Sequence, residues 1–224
     1  MKRVVAVLLG VLGFLYLRLC YLTSRYIITD GAEAALRRTW DRGVPTVFSC
    51  WHDEFLIALL NLQSPRLSKP LFITNDSFGG VFLETFCKLA ANPCLVIRRG
   101  TPVEDRIEQL VTGLATHRRV AIAADYGRPW YKARPTAAQI AGRLDGYVLA
   151  IRLEPRRKLR VPIGISGGIA YLPIPFSTYA LWMDEPRRAS EANLDEMLHG
   201  LSRHCYATQQ AAEARAHLEA GPSA

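Results

Sequence analysis

Val47-Phe48-Ser49-Cys50-Trp51-His52-Asp53-Glu54-Phe55-Leu56 decides how the chain is read. An apolar run ends in Trp-His and passes at once into an amphipathic stretch, the pattern of a strand breaking into a helix with a histidine at the junction. A histidine so placed sits at the carboxyl edge of a sheet, where α/β folds gather their chemistry. It also sits at a helix N-terminus, whose positive dipole end disfavours imidazolium. The expectation is a neutral imidazole able to accept a proton.

Outward from this segment the alternation of strand and helix continues. Strands are predicted at 44–49, 70–74, 94–97, 120–124, 147–153, 159–165 and 178–183. Helices are predicted at 31–40 with Asp30 as cap, at 80–90, at 136–144, and from Ser190 into the C-terminal tail. Thr101-Pro102-Val103-Glu104 has the form of a capping box with proline at the first helical position, opening a helix to about His117. Residues 171–177 read as a proline-broken loop. This order predicts an α/β fold: one domain with a mixed, mostly parallel sheet covered by helices on both faces.

The N-terminus stands apart. Lys2 and Arg3 precede Val4–Leu17, which holds no charge, and the apolar character resumes after Arg18. No small-x-small cleavage site follows, so an uncleaved membrane anchor over residues 1–24 is expected, as a short span or an interfacial helix, with a catalytic domain over 25–224. Half the residues are hydrophobic and the net charge is +8, a balance that suits an anionic partner such as an acidic membrane surface or a phosphorylated substrate. The positive charge is spread along the chain without a recognition motif, which argues against nucleic acid. Five cysteines (Cys20, Cys50, Cys87, Cys94, Cys205) show neither C-x-x-C nor zinc spacing, so free thiols in a reducing compartment, and no metal, are expected.

Three motifs fall at predicted strand ends: Trp51-His52, Arg98-Arg99-Gly100-Thr101 and Asp125-Tyr126-Gly127-Arg128-Pro129. A fourth, Leu172-Pro173-Ile174-Pro175-Phe176-Ser177, follows them. In this order the motifs resemble those of the lysophospholipid acyltransferase superfamily. The match is best to a bacterial branch related to glycerol-phosphate acyltransferases and the late acyltransferases of lipid A. The resemblance covers roughly residues 44–187. It implies His52 as general base, deprotonating a hydroxyl of a lysophospholipid or glycolipid that then attacks an acyl thioester. The donor would be acyl-CoA or acyl carrier protein, with no other cofactor, and the place of action the cytoplasmic face of the inner membrane. It also implies that the arginine motif, with Gly100 and Thr101, holds the acceptor's phosphate, and it adds Gly127 and Arg128 to the acceptor site. Arginine at the mouth of a helix is physically suited to that task.

Two positions depart from the pattern. The superfamily's His-x-x-x-x-Asp aspartate is here Ile57, so another carboxylate must orient His52. Asp53, Glu54, Asp76 and Asp125 are the candidates, Asp76 and Asp125 being better placed at strand ends. The glycine of the Asp-Gly-Pro turn lies one place later, as Asp125-Tyr126-Gly127. A catalytically inactive lipid-binding homologue is therefore one alternative. A serine esterase is another, because Gly164-Ile165-Ser166-Gly167-Gly168 matches the nucleophile elbow, with Asp184 and His199 or His204 downstream. The elbow requires a following helix, which the prolines at 173 and 175 forbid. If Arg98 and Arg99 faced solvent, the anion would have to be sought at Arg128, Lys132 or Arg134.

Overall fold

The β-branched and aromatic runs do form strands, and their pleat divides the interior into two layers. Val47 packs into one core with Leu71, Val120, Val148 and Leu114, whereas the next residue, Phe48, packs into the other with Phe72, Leu149, Leu83 and Phe86. The computed structural model describes residues 2–40, 43–60, 69–125, 131–156, 158–163 and 168–219. The strands are β1 (Arg25–Ile28), β2 (Thr46–Cys50), β3 (Leu71–Asn75), β4 (Cys94–Ile97), β5 (Arg119–Ala123), β6 (Tyr147–Pro155), β7 (Lys158–Ile163), β8 (Gly168–Pro173), β9 (Thr178–Met183) and β10 (Arg187–Arg188). The helices are α1 (Lys2–Thr23), α2 (Asp30–Trp40), α3 (Phe55–Ala58), α4 (Phe78–Leu89), α5 (Val103–His117), α6 (Thr136–Gly142) and α7 (Leu194–Glu219).

The main sheet runs β1-β9-β6-β2-β5-β3-β4, with β10 beside β6. Strands β6, β2, β5, β3 and β4 are mutually parallel, so the carboxyl ends of β2 to β5 share one edge. Only the pairs of β6 with β9 and β10 in this sheet are antiparallel. Helices α1, α2 and α4 cover one face, and α5, α6 and α7 the other. The fold is thus the α/β class the sequence indicates.

Local details differ from the expected ones. β1 was not foreseen. It pairs in parallel with β9, just beyond the expected anchor of residues 1–24. Residues 168–173, expected within a loop or elbow, form β8, which pairs antiparallel with β7. The hydroxyl of Thr29, not Asp30, caps α2, accepting from the Ala32 amide at 3.3 Å. The capping box at α5 does not form: Thr101 Oγ1 donates to the Arg98 carbonyl at 2.7 Å, and Pro102 is the cap. The Asn193 side chain, rather than Ser190, accepts from the first turn of α7.

α1 is docked, not free. Ala6, Gly10, Leu17 and Cys20 are buried, and Phe14 meets Phe86 of α4 edge to face at 5.6 Å. A Cβ at Gly10 would come within 2.8 Å of the Thr85 Cβ, so glycine permits this crossing. The opposite stripe, Val4, Leu8, Leu12, Leu15, Leu19 and Leu22, is exposed. The helix is long and apolar enough to cross a membrane.

Gly80 tolerates no side chain. It lies in the first turn of α4, its amide held by Ser77 Oγ at 3.0 Å, and a Cβ there would land on the Asn75 carbonyl. Gly80→Ala should therefore destabilise the protein by about 3 kcal/mol or more, the upper range for overpacking. A denaturant midpoint within error of the wild type would contradict that contact.

Candidate active site

His52 follows β2 by two residues and opens a short 3-10 turn, His52–Glu54, that leads into α3. The turn is fixed through its backbone. Asp125, just past β5 and fully buried, accepts from the His52 amide through Oδ1 at 2.9 Å and from the Tyr131 amide through Oδ2 at 3.2 Å. β5 is the neighbour of β2, and the Ala124 amide donates to the Cys50 carbonyl at 2.8 Å, so this contact grows directly out of sheet register. Asp125 is thus tied to the backbone of His52 and positions the turn.

The other three carboxylate candidates have distinct partners. Asp53 accepts from the Tyr131 hydroxyl. Glu54 pairs with Arg152 at 3.0 Å, and Arg152 in turn holds Glu154 at 2.8 Å and Ser202 at 2.6 Å. Asp76 accepts from the Arg99 amide at 3.1 Å and lies 3.8 Å from its guanidinium. Because β5 stands between β3 and β2, Asp76 is two strands from His52; its carboxylate serves the arginine loop. Ile57 is buried among Leu59, Leu60 and Phe86, so the position that carries aspartate in the resembling superfamily is core here.

The arginine motif forms a tight turn after β4. Gly100 has φ +83°, a conformation that favours glycine, and Thr101 closes the turn on the Arg98 carbonyl. Arg98, Arg99 and Gly100 line a cavity of about 570 Å³ that also reaches Asn75, Ala123 and Ala124, at the ends of β3 and β5. His52 does not line it, contrary to the expectation of one shared crevice. In sheet order His52 lies three strands from Arg98, or about 14 Å at the usual spacing. Gly127 and Arg128 lie outside the described residues, as does Ser166.

The sequence did not single out the clamp around Tyr131. Its ring meets Trp51 at 5.6 Å, its carbonyl contacts His199 Nε2 at 3.1 Å, and Asp195 accepts from the nearby Ala133 amide at 2.7 Å. His199 also stacks on Trp51 at 5.1 Å, so α7 secures the chain beyond β5 to the base of the histidine turn. His204 packs on Trp182. Both histidines keep solvent contact: His204 is exposed, and the His199 side chain is 42% exposed. Burial of Tyr131, reinforced by its bond to Asp53, pushes its hydroxyl well above the ordinary range, so it remains a donor.

Electrostatics narrow the choice of reactive group. Burial, together with Glu54, Asp125 and Asp53, pushes the Cys50 thiol far up, which removes it as a nucleophile at neutral pH. No group of three metal-ligating side chains occurs among the described residues. The half-buried His52 and the arginine-lined cavity, three strands apart, remain.

No protein-family model matches the chain, and no curated protein matches it. Among solved structures, it is similar to the 1-acyl-sn-glycerophosphate (LPA) acyltransferase PlsC from Thermotoga maritima. Their TM-score is 0.44 and their identity 12%, over 99% of this chain and 81% of that one.

Proposed function

We propose that the protein is a membrane-associated acyltransferase that moves a fatty acyl group from a thioester donor to a hydroxyl of a lysophospholipid or glycolipid. One observation carries the reading: buried Asp125 fixes the backbone of His52 at the carboxyl edge, with an arginine-lined cavity opening at the neighbouring strand ends. His52 takes the proton from the acceptor hydroxyl, and the oxygen attacks the thioester carbonyl. The tetrahedral oxyanion is stabilised by backbone amides or arginines at the edge. Its collapse expels the thiolate, which recovers the proton from His52. The thioester supplies the activation, so the step needs no cofactor. Acyl-CoA and acyl carrier protein both satisfy this chemistry. Comparing the lipids of cells lacking and regaining the protein by mass spectrometry tests the function; an acylated species that returns with the gene identifies the acceptor, and unchanged profiles count against the proposal.

Ile57 favours a second reading, an inactive lipid-binding homologue, because the resembling superfamily carries its orienting aspartate there. The serine esterase reading is weakened by β8, which begins at Gly168 where the elbow needs a helix. A fluorophosphonate probe should leave Ser166 unlabelled, and Ser166→Ala should retain most acyl transfer. Labelling at Ser166 would favour the esterase.

We further place the protein at the inner membrane, domain facing the cytoplasm, held by the exposed apolar stripe of α1. Because that attachment is apolar, the protein should stay with membranes in high salt and leave them in detergent. Release by salt alone would contradict it.

A further inference from the structure

The turn between α4 and β4 carries two thiols that the acyl-transfer chemistry does not use. α4 ends at Leu89 and β4 begins at Cys94, and the chain between them doubles back tightly. The Ala90 amide donates to the Phe86 carbonyl at 3.0 Å, the Ala91 amide to the Lys88 carbonyl at 3.1 Å, and the Asn92 amide to the Cys87 carbonyl at 2.8 Å. Ala91 adopts φ +52°, the left-handed conformation that reverses a chain at a helix end. The strand then fixes the side on which Cys94 points. Cys94 stands opposite Phe72 in the parallel pair of β4 with β3, and side chains at such paired positions share a face. Phe72 lies in the core layer that holds Leu83, Phe86 and Cys87, and Cys94 packs against that same layer.

The two side chains meet. The Cys87 thiol donates to the Cys94 sulfur, which holds Cys94 below the usual thiol range; Lys88 acts in the same direction, against burial and Glu84. The same hydrogen bond, with burial, pushes Cys87 up. The pair is asymmetric in access as well as in acidity. All five cysteines fall among the described residues; four are buried and Cys94 is not. The thiolate is the reactive form of cysteine, so Cys94 is the group an external reagent meets first.

We propose that Cys87 and Cys94 form a redox-active dithiol, oxidised reversibly to an intramolecular disulfide by a small-molecule disulfide of the glutathione class. The Cys94 thiolate attacks one sulfur of glutathione disulfide, forming a mixed disulfide and expelling one glutathione thiolate. Cys87 then attacks the Cys94 sulfur, and its proton goes to the departing second glutathione. Two protein thiols are oxidised and one glutathione disulfide is reduced to two thiols. The first step consumes the thiolate that had held the Cys87 proton, which frees the buried thiol to react. The sulfurs must close to about 2.05 Å, which rotation of two side chains already in contact supplies. β4 is the edge strand of the sheet, with no strand beyond it among the described residues to resist the adjustment. In a reducing compartment the pair rests as the dithiol. The chemistry needs neither His52 nor an acyl donor.

The test uses the full-length protein in neutral detergent, incubated with glutathione disulfide at neutral pH, then alkylated and digested with trypsin. Lys88 lies between the two cysteines, so digestion parts them unless they are bonded. The expected product is the peptide ending in Cys87-Lys88 joined to Leu89–Arg98, lighter by two hydrogens than the two peptides together, and absent after dithiothreitol. Cys87→Ala should instead leave glutathione on Cys94, because no partner expels it. Cys94→Ala should leave Cys87 unmodified. Wild-type chains recovered with both thiols alkylated, or with glutathione standing on Cys94, would overturn the proposal. So would a linked pair that forms only in urea. The wild-type result decides the matter even where a variant fails to fold.

Discussion

His52→Ala should lower acyl transfer by about 10²–10⁴-fold, the usual loss on removing a general base, with a melting temperature close to that of the wild type. The fold should survive because the contact that secures this position is made by the backbone amide of residue 52 to Asp125, and alanine keeps that amide. The side chain is only half buried, so its removal leaves little cavity. Asn in place of His should be as inactive as Ala, since an amide offers hydrogen bonds but accepts no proton at neutral pH. Turnover near wild type in either variant would assign the proton transfer to another group.

The second large effect is structural. Arg152→Leu should destabilise the protein by about 3–5 kcal/mol, because it removes the shared counter-charge of Glu54 and Glu154, whose side chains are 7% and 9% exposed. That is a substantial share of the roughly 5–15 kcal/mol that holds a domain folded. Burial of the guanidinium tends to lower its pKa, but Glu54 and Glu154 outweigh it and hold the value above the ordinary one. A raised basic pKa gives stability that is lost only as pH rises through the folded value, so no workable alkaline pH discharges this network. Arg152→Lys should lose less, keeping the charge without the fork that reaches both carboxylates. The measurement is urea unfolding at constant slope; a change under about 1 kcal/mol for the leucine variant would show that the cluster contributes little. Glu54 lies two residues from His52, so activity should fall along with stability.

What could be read in advance was local. β4 and β9 lie where alternation and turn residues put them, and β2, β3 and β5 within two residues. His52, Asp125 and the Arg98–Gly100 turn were legible because each interrupts an apolar run at a strand end. β8 was hidden because Pro173 and Pro175 signal a loop, yet only Pro173 falls in the strand, as its last residue. β1 was hidden because Tyr26-Ile27-Ile28 is only three apolar residues between Thr23-Ser24-Arg25 and Thr29-Asp30, and its pairing with β9 is not local in sequence. The Tyr131 clamp and the Glu54–Arg152 pair join residues 78 and 98 positions apart, a separation that periodicity does not report. The roles of the four candidate carboxylates were likewise undetermined, because each partner is set by strand order: β5 next to β2 brings Asp125 to His52, and β3 next to β4 sends Asp76 to Arg99.

The central claim is acyl transfer, and the most direct measurement follows the acyl group itself. Purified protein in detergent is given an isotopically labelled fatty acyl-CoA or acyl carrier protein together with a lipid extract from membranes, and the products are weighed by mass spectrometry. The expected result is a lipid heavier by one labelled acyl chain, formed with release of free thiol and absent with His52→Ala. Labelled free fatty acid without an acylated lipid, or no product with either donor, would contradict the claim.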